Sequence, residues 1–123
     1  MRALIVDDSK TIRDLLGDIL RDLGFEVHDA ENGEAALAAL DALQDVDVVL
    51  VDWIMPEMDG LSFVKAVRSR RERDKVRLLM VTTQTEMPRV VTALEAGADE
   101  YLMKPVTREM VRQKLELMGI VLV

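Results

Sequence analysis

Three short apolar runs, residues 3–6, 48–51 and 78–81, are rich in branched side chains and too short for helices, so they read as strands buried on both faces. Burial on both faces implies parallel pairing. Two further stretches, residues 25–29 and 100–103, are interrupted by polar residues and fit more exposed or edge strands. Between the strands the apolar spacing becomes helical. Ile12, Leu15, Leu16, Ile19, Leu20 and Leu23 form the clearest stripe, and Gly24 follows where a left-handed C-cap is expected. Ala36, Leu37, Leu40 and Leu43 form a second behind Asn32, an N-cap type, and Leu61, Val64, Ala66 and Val67 predict a third helix after Gly60. Val90, Val91 and Leu94 predict a fourth closed by Gly97; Met110, Val111, Leu115 and Met118 predict a fifth, between Thr107 and Gly119. Strands and helices in alternation call for an α/β fold, an open parallel sheet covered on both faces by right-handed crossovers.

A chain of 123 residues has room for one compact domain, so residues 1–123 are expected to form a single unit. Half of the residues are hydrophobic and 32% charged, the balance of a soluble globular protein. The formal net charge of -7 opposes a nucleic-acid backbone, so no direct nucleic-acid binding is expected. The absence of cysteine removes disulfides, thiolate metal sites and cysteine nucleophiles, leaving oxygen and nitrogen chemistry. The apolar stretch at the N-terminus is too short for a signal sequence or membrane span, so a cytoplasmic location without membrane attachment is the expectation.

In open α/β sheets the ligand site lies beyond the carboxyl ends of the strands. Here those ends carry Asp7-Asp8, Asp52, Thr82 and Lys104-Pro105, which places all of them along one edge. Three carboxylates converging there repel one another, and a hard cation relieves that repulsion. All-oxygen ligation with few protein ligands suits Mg2+, which favours sites shared with a phosphate. An ionised aspartate can attack a phosphoryl group, a transfer that depends mainly on charge neutralisation. The Lys104 ammonium can offset charge on the phosphoryl oxygens and the Thr82 hydroxyl can donate a hydrogen bond to one of them. A single aspartate after a strand is most often a turn residue or helix cap; it is the set of positions that points to chemistry.

Through Leu4-Ile5-Val6-Asp7-Asp8-Ser9, Val51-Asp52 onward to Gly60, Met80-Val81-Thr82 and Met103-Lys104-Pro105, the chain resembles the response-regulator receiver family over its whole length. Asp52-Trp53 followed by Met55-Pro56 and Met58-Asp59-Gly60 is most similar to the single-domain CheY-like chemotaxis type. The resemblance implies a doubly wound five-stranded parallel sheet in the order 2-1-3-4-5, the flavodoxin-like (βα)5 arrangement for which flavodoxin and a chemotaxis receiver are the standard examples. It implies that Asp52 is the phosphoacceptor, assisted by Thr82 and Lys104, and that Asp7, Asp8, Asp52 and the carbonyl of Ile54 organise Mg2+. It makes Thr82, Tyr101, Lys104 and Pro105 the switch residues, with a cis bond before Pro105. The implied partners are a sensor histidine kinase or phosphotransfer protein and a downstream protein on the face formed by the fourth helix, fifth strand and fifth helix. Such a protein catalyses only its own phosphorylation and dephosphorylation and is no turnover enzyme.

Several positions depart from the family pattern. Ile54 stands where the chemotaxis type often has a polar residue, and its side chain cannot hydrogen-bond an attacking water; with Gln84 beside the same path, these two are expected to tune the phosphorylated lifetime. Thr83 and Val106 stand where a smaller residue and an aromatic are common. Trp53 is expected to pack on its own scaffold, His28 to be a strand residue without an acidic partner, and the charged run at residues 68–77 to be a solvated face. The apolar tail at residues 120–123 fits local packing, pairing with another chain or a junction equally well. Three other functions remain open: a phosphatase using an aspartyl intermediate, a phosphate-independent interaction module of the same fold, and the receiver part of a larger regulator.

Overall fold

The structure is a computed structural model and describes residues 1–55, 57–83 and 87–122. Strands and helices alternate: β1 (Arg2–Val6), α1 (Lys10–Asp22), β2 (Glu26–Ala30), α2 (Gly33–Ala42), β3 (Val46–Asp52), α3 (Gly60–Arg68), β4 (Arg77–Thr82), α4 (Met87–Ala96), β5 (Glu100–Met103) and α5 (Arg108–Leu117). A single 3-10 turn, Arg71–Arg73, lies between α3 and β4. The five strands form one parallel sheet in the order β2-β1-β3-β4-β5, as the family resemblance implies.

Alternation along the strands divides the core in two. Leu4, Val6, Val49, Val51, Leu78 and Met80 point to one face, where Ala36 and Leu40 of α2, Phe63, Val64 and Val67 of α3, and Ala93 of α4 cover them. Ala3, Ile5, Val48, Leu50, Leu79 and Val81 point to the other, beneath Leu16, Ile19 and Leu20 of α1 and Val111 and Leu115 of α5. Each fully buried aliphatic side chain contributes about 1.5–3 kcal/mol, so both helical layers are needed to keep the strands dry.

The helix starts follow from local side chains. Asn32, Asp59 and Thr107 each accept a hydrogen bond from a backbone N–H in the first turn of α2, α3 and α5, and Ser9 does the same for α1, a cap the sequence pattern does not single out. Gly24, Gly97 and Gly119 follow α1, α4 and α5 with positive φ. Gly97 has a second reason to be glycine, because a Cβ there would lie 2.6 Å from Cγ of Arg68.

Three expectations change, and the choice left open for the tail is narrowed. In α4, Val90 and Ala93 face the core, while Val91 is 59% and Leu94 37% exposed, so the stripe lies about one residue away from the one expected. The charged run is not simply solvated: Arg73 is buried and pairs with Asp41 of α2, and Nε of Arg77 donates to the Met118 carbonyl over 3.0 Å. His28 has an acidic partner after all, with Nε2 2.8 Å from Oε2 of Glu26, two residues away on the same strand face. In the tail, Ile120 and Leu122 pack locally against the α1/α5 side of the core, while Val121 is exposed.

Candidate functional site

The carboxyl ends of β1, β3 and β5 meet at one edge of the sheet. Asp7 directly follows β1, and its N–H donates to the Ala30 carbonyl over 3.1 Å, extending the β1–β2 pairing by one residue. Its carboxylate Oδ1 accepts the Ser9 N–H over 2.8 Å, which turns the chain into α1. From α1, Arg13 returns a guanidinium that donates to the Asp7 carbonyl over 2.7 Å and to Oδ2 of Asp29 over 2.9 Å. Asp7 is thereby fixed in a buried position, whereas its neighbour Asp8 is exposed.

Asp52 is the last residue of β3 and pairs in register with Val81. Trp53 is buried in the core, as expected, and anchors the chain immediately beyond it. Gly60 presses the start of α3 against this strand end: an added Cβ would lie 2.7 Å from Cε of Met80 and 3.1 Å from Cα of Trp53, so a larger residue would push α3 away from the site.

Ligand oxygens of Asp7, Asp8 and Asp52 lie within 4.8 Å of one another. Lys104 follows β5, with its N–H donating to the Thr82 carbonyl over 2.7 Å and a cis bond to Pro105. Its Nζ stands 3.5 Å from Oδ1 of Asp52 and 3.9 Å from Oδ2 of Asp7. Burial, and then the Asp7 carboxylate, push the Asp52 carboxyl up to about 6 against the pull of Lys104. Burial also raises Asp7, opposed by the Ser9 N–H and Lys104. One ammonium therefore does not neutralise the cluster.

That residual charge, together with three oxygen donors and no nitrogen or sulfur ligand, fits a hard divalent cation. The arrangement can also present a carboxylate oxygen to an electrophile while Lys104 offsets incoming negative charge.

The other expected site residues sit on β4 and β5 and in the segments that follow β3, β4 and β5. Thr82 ends β4 and is buried, but its hydroxyl donates to the Thr83 carbonyl over 3.1 Å. Tyr101 is half-buried on β5, packed against the α2/α3/α4 side of the core. Pro105 and Thr83 are exposed, Val106 packs against the α1/α5 side, and the Ile54 side chain is 60% exposed. Gln84 lies outside the described residues. Sequence reasoning missed Arg13; its only signal is a cation one turn into the helix that follows Asp7-Asp8, facing an aspartate at the end of the second strand. Among the described residues, no helix is long and apolar enough to cross a membrane.

The chain is similar to known proteins over most of its length. The profile of the response regulator receiver domain matches residues 3–116. The chemotaxis protein CheY1 of Helicobacter pylori is 43% identical over 118 residues, covering 95% of each chain. A CheY homolog of Campylobacter jejuni is 42% identical over 117 residues, 94% of this chain and 90% of that one. The solved structure of Vibrio cholerae CheY4 superposes with a TM-score of 0.87 at 36% identity, covering 95% of this chain and 97% of that one. With the acidic pocket, the parallel sheet and these likenesses together, the chain belongs to the response regulator receiver domain family and is a phosphoacceptor response regulator of two-component signalling, a signalling protein rather than a turnover enzyme.

Proposed function

We propose that Asp52 is the phosphoacceptor, that Mg2+ is bound by Asp7, Asp8, Asp52 and the Ile54 carbonyl, and that the signal passes to a chemotaxis-type output. The observation that supports this reading is the Asp52 carboxylate within 4.8 Å of ligand oxygens of Asp7 and Asp8 and 3.5 Å from the Lys104 ammonium. A carboxylate oxygen of Asp52 forms the new bond to phosphorus as the bond from phosphorus to the donor's leaving group breaks. The Lys104 ammonium offsets charge on the transferred oxygens. Held by Asp7, Asp8, Asp52 and the Ile54 carbonyl, Mg2+ would supply further charge neutralisation for the phosphoryl group.

Thr82 completes the switch by giving up its bond to the Thr83 carbonyl and donating to a phosphoryl oxygen instead. Tyr101 then moves inward, and the surface of α4, β5 and α5 changes for a downstream protein. A sensor histidine kinase or phosphotransfer protein supplies the phosphoryl group. Ile54 and Gln84 set its lifetime, and residues 1–123 act as one receiver domain.

The reading is tested by incubating the protein with a small phosphodonor, with and without Mg2+, and recording intact mass. One Mg2+-dependent phosphoryl adduct, absent from Asp52→Asn, is expected. No adduct under any condition would exclude the phosphoacceptor assignment and leave a phosphate-independent interaction module.

A further inference from the structure

Tyr101 is the single tyrosine of the chain, and its ring lies beneath a cation from a neighbouring element. Nζ of Lys114, on α5, stands 4.5 Å from the ring centroid. The ammonium is not free to wander, because Oε1 of Glu100 accepts from it over 3.0 Å. The same oxygen accepts the Tyr101 backbone N–H over 3.1 Å. Lys114 and Glu100 are each about one-quarter exposed, unlike the solvated ion pairs elsewhere on α5, so this pair is partly shielded from water. Glu100 thus grips the backbone of Tyr101 with the oxygen that holds the cation over its ring.

We propose that Lys114, anchored by Glu100, is a positioning residue that holds the Tyr101 ring in its half-buried resting orientation and so sets how readily phosphorylation moves it. This rests on the reading of Tyr101 as the switch aromatic. A cation over an aromatic face is attractive only while the two stay stacked, so inward rotation of the ring forfeits the contact. For a partly exposed pair that corresponds to roughly a two- to fivefold bias toward the resting state. Because one carboxylate oxygen bridges the backbone of β5 and the side chain of α5, a displacement of α5 relative to β5 would loosen the hold on the ring as well.

The test uses the protein labelled with fluorotyrosine, which gives one fluorine resonance. The H2O/D2O isotope shift of that resonance reports exposure of the ring rather than nearby charge. Without phosphodonor, Lys114→Met, which keeps an unbranched chain but removes the cation, is expected to shift the ring population inward and lower its exposure. Glu100→Gln is expected to do so to a smaller extent, while Lys114→Arg, which keeps a cation, stays near the wild type. Addition of phosphodonor and Mg2+ should then change Lys114→Met less than wild type. Unchanged exposure in Lys114→Met, or an equal loss in Lys114→Met and Lys114→Arg, would overturn the proposal. Intact mass recorded on the same samples separates the two readings: failure of the wild type to gain a phosphoryl adduct defeats the phosphoacceptor assignment, and the comparison without phosphodonor still decides whether Lys114 holds the ring.

Discussion

Burial and the Asp7 carboxylate hold the Asp52 carboxyl at about 6, above its ordinary 3.8, even with Lys104 alongside. The folded protein therefore binds this proton more tightly than the unfolded chain does. Stability falls as pH rises from about 4 through about 6, and above that the ionised group opposes folding by at most roughly 3 kcal/mol. In the presence of a chelator, Asp52→Asn should raise the free energy of urea unfolding at pH 7.5 by about 1–3 kcal/mol, and the gain should shrink as pH is lowered toward 4. A gain that does not vary with pH would contradict the electrostatic account. At Ile54, whose side chain is largely exposed beside the site, the missing function is a hydrogen bond to an attacking water. One such bond of about 1 kcal/mol corresponds to roughly fivefold in rate, so Ile54→Asn should shorten the phosphorylated lifetime by about that factor. Acyl phosphate decay followed by mass would show it; an unchanged rate removes Ile54 from the account.

At the scale of elements, Arg68 at the end of α3 ties several chain segments together. Its guanidinium donates to the carbonyls of Gly97, Arg73 and Val76 and to Oδ2 of Asp99, which also accepts the Leu78 N–H. The ends of α3 and α4, the 3-10 turn and the start of β4 are joined through one side chain. Arg68→Met should lower stability in urea by about 2–4 kcal/mol by leaving part-buried carbonyls without a donor, and Lys, a point donor without the planar fork, should restore only part of it. A loss below about 0.5 kcal/mol would show that water replaces the guanidinium readily. This junction is hidden in the sequence because its partners lie up to 31 residues from Arg68, and charge alone reads as solvated. The phase of α4 is hidden for a different reason. The helix turns its small residue Ala93 fully inward against the α3 side of the core and leaves Val91 outside, and size cannot be told from hydrophobic pattern. Strands covered on both faces are plain by contrast, since continuous branched apolar runs have few other places to go.

At the scale of the molecule, parallel strands bring residues far apart in sequence to one edge, which is why Asp7, Asp8, Asp52 and Lys104 can be grouped from the order of strands and polar residues along the chain. The orientation of the Thr82 hydroxyl, which donates to the Thr83 carbonyl, cannot be read that way, because a hydroxyl rotates to suit its surroundings. The site also carries more negative charge than Lys104 balances, so binding of a divalent cation should stabilise the whole fold. Mg2+ at a hundredfold its dissociation constant adds about 2.7 kcal/mol by mass action, and thermal unfolding should shift upward accordingly. Asp7→Asn should lose most of that shift; a full shift in the variant would place the cation elsewhere. The central claim remains that Asp52 takes up the phosphoryl group. It is tested most directly by treating the phosphorylated protein with borohydride, which reduces an acyl phosphate to an alcohol, and mapping the peptides by mass. The account predicts homoserine in place of Asp52 and at no other aspartate; homoserine at Asp7 or Asp8, or none at all, would contradict it.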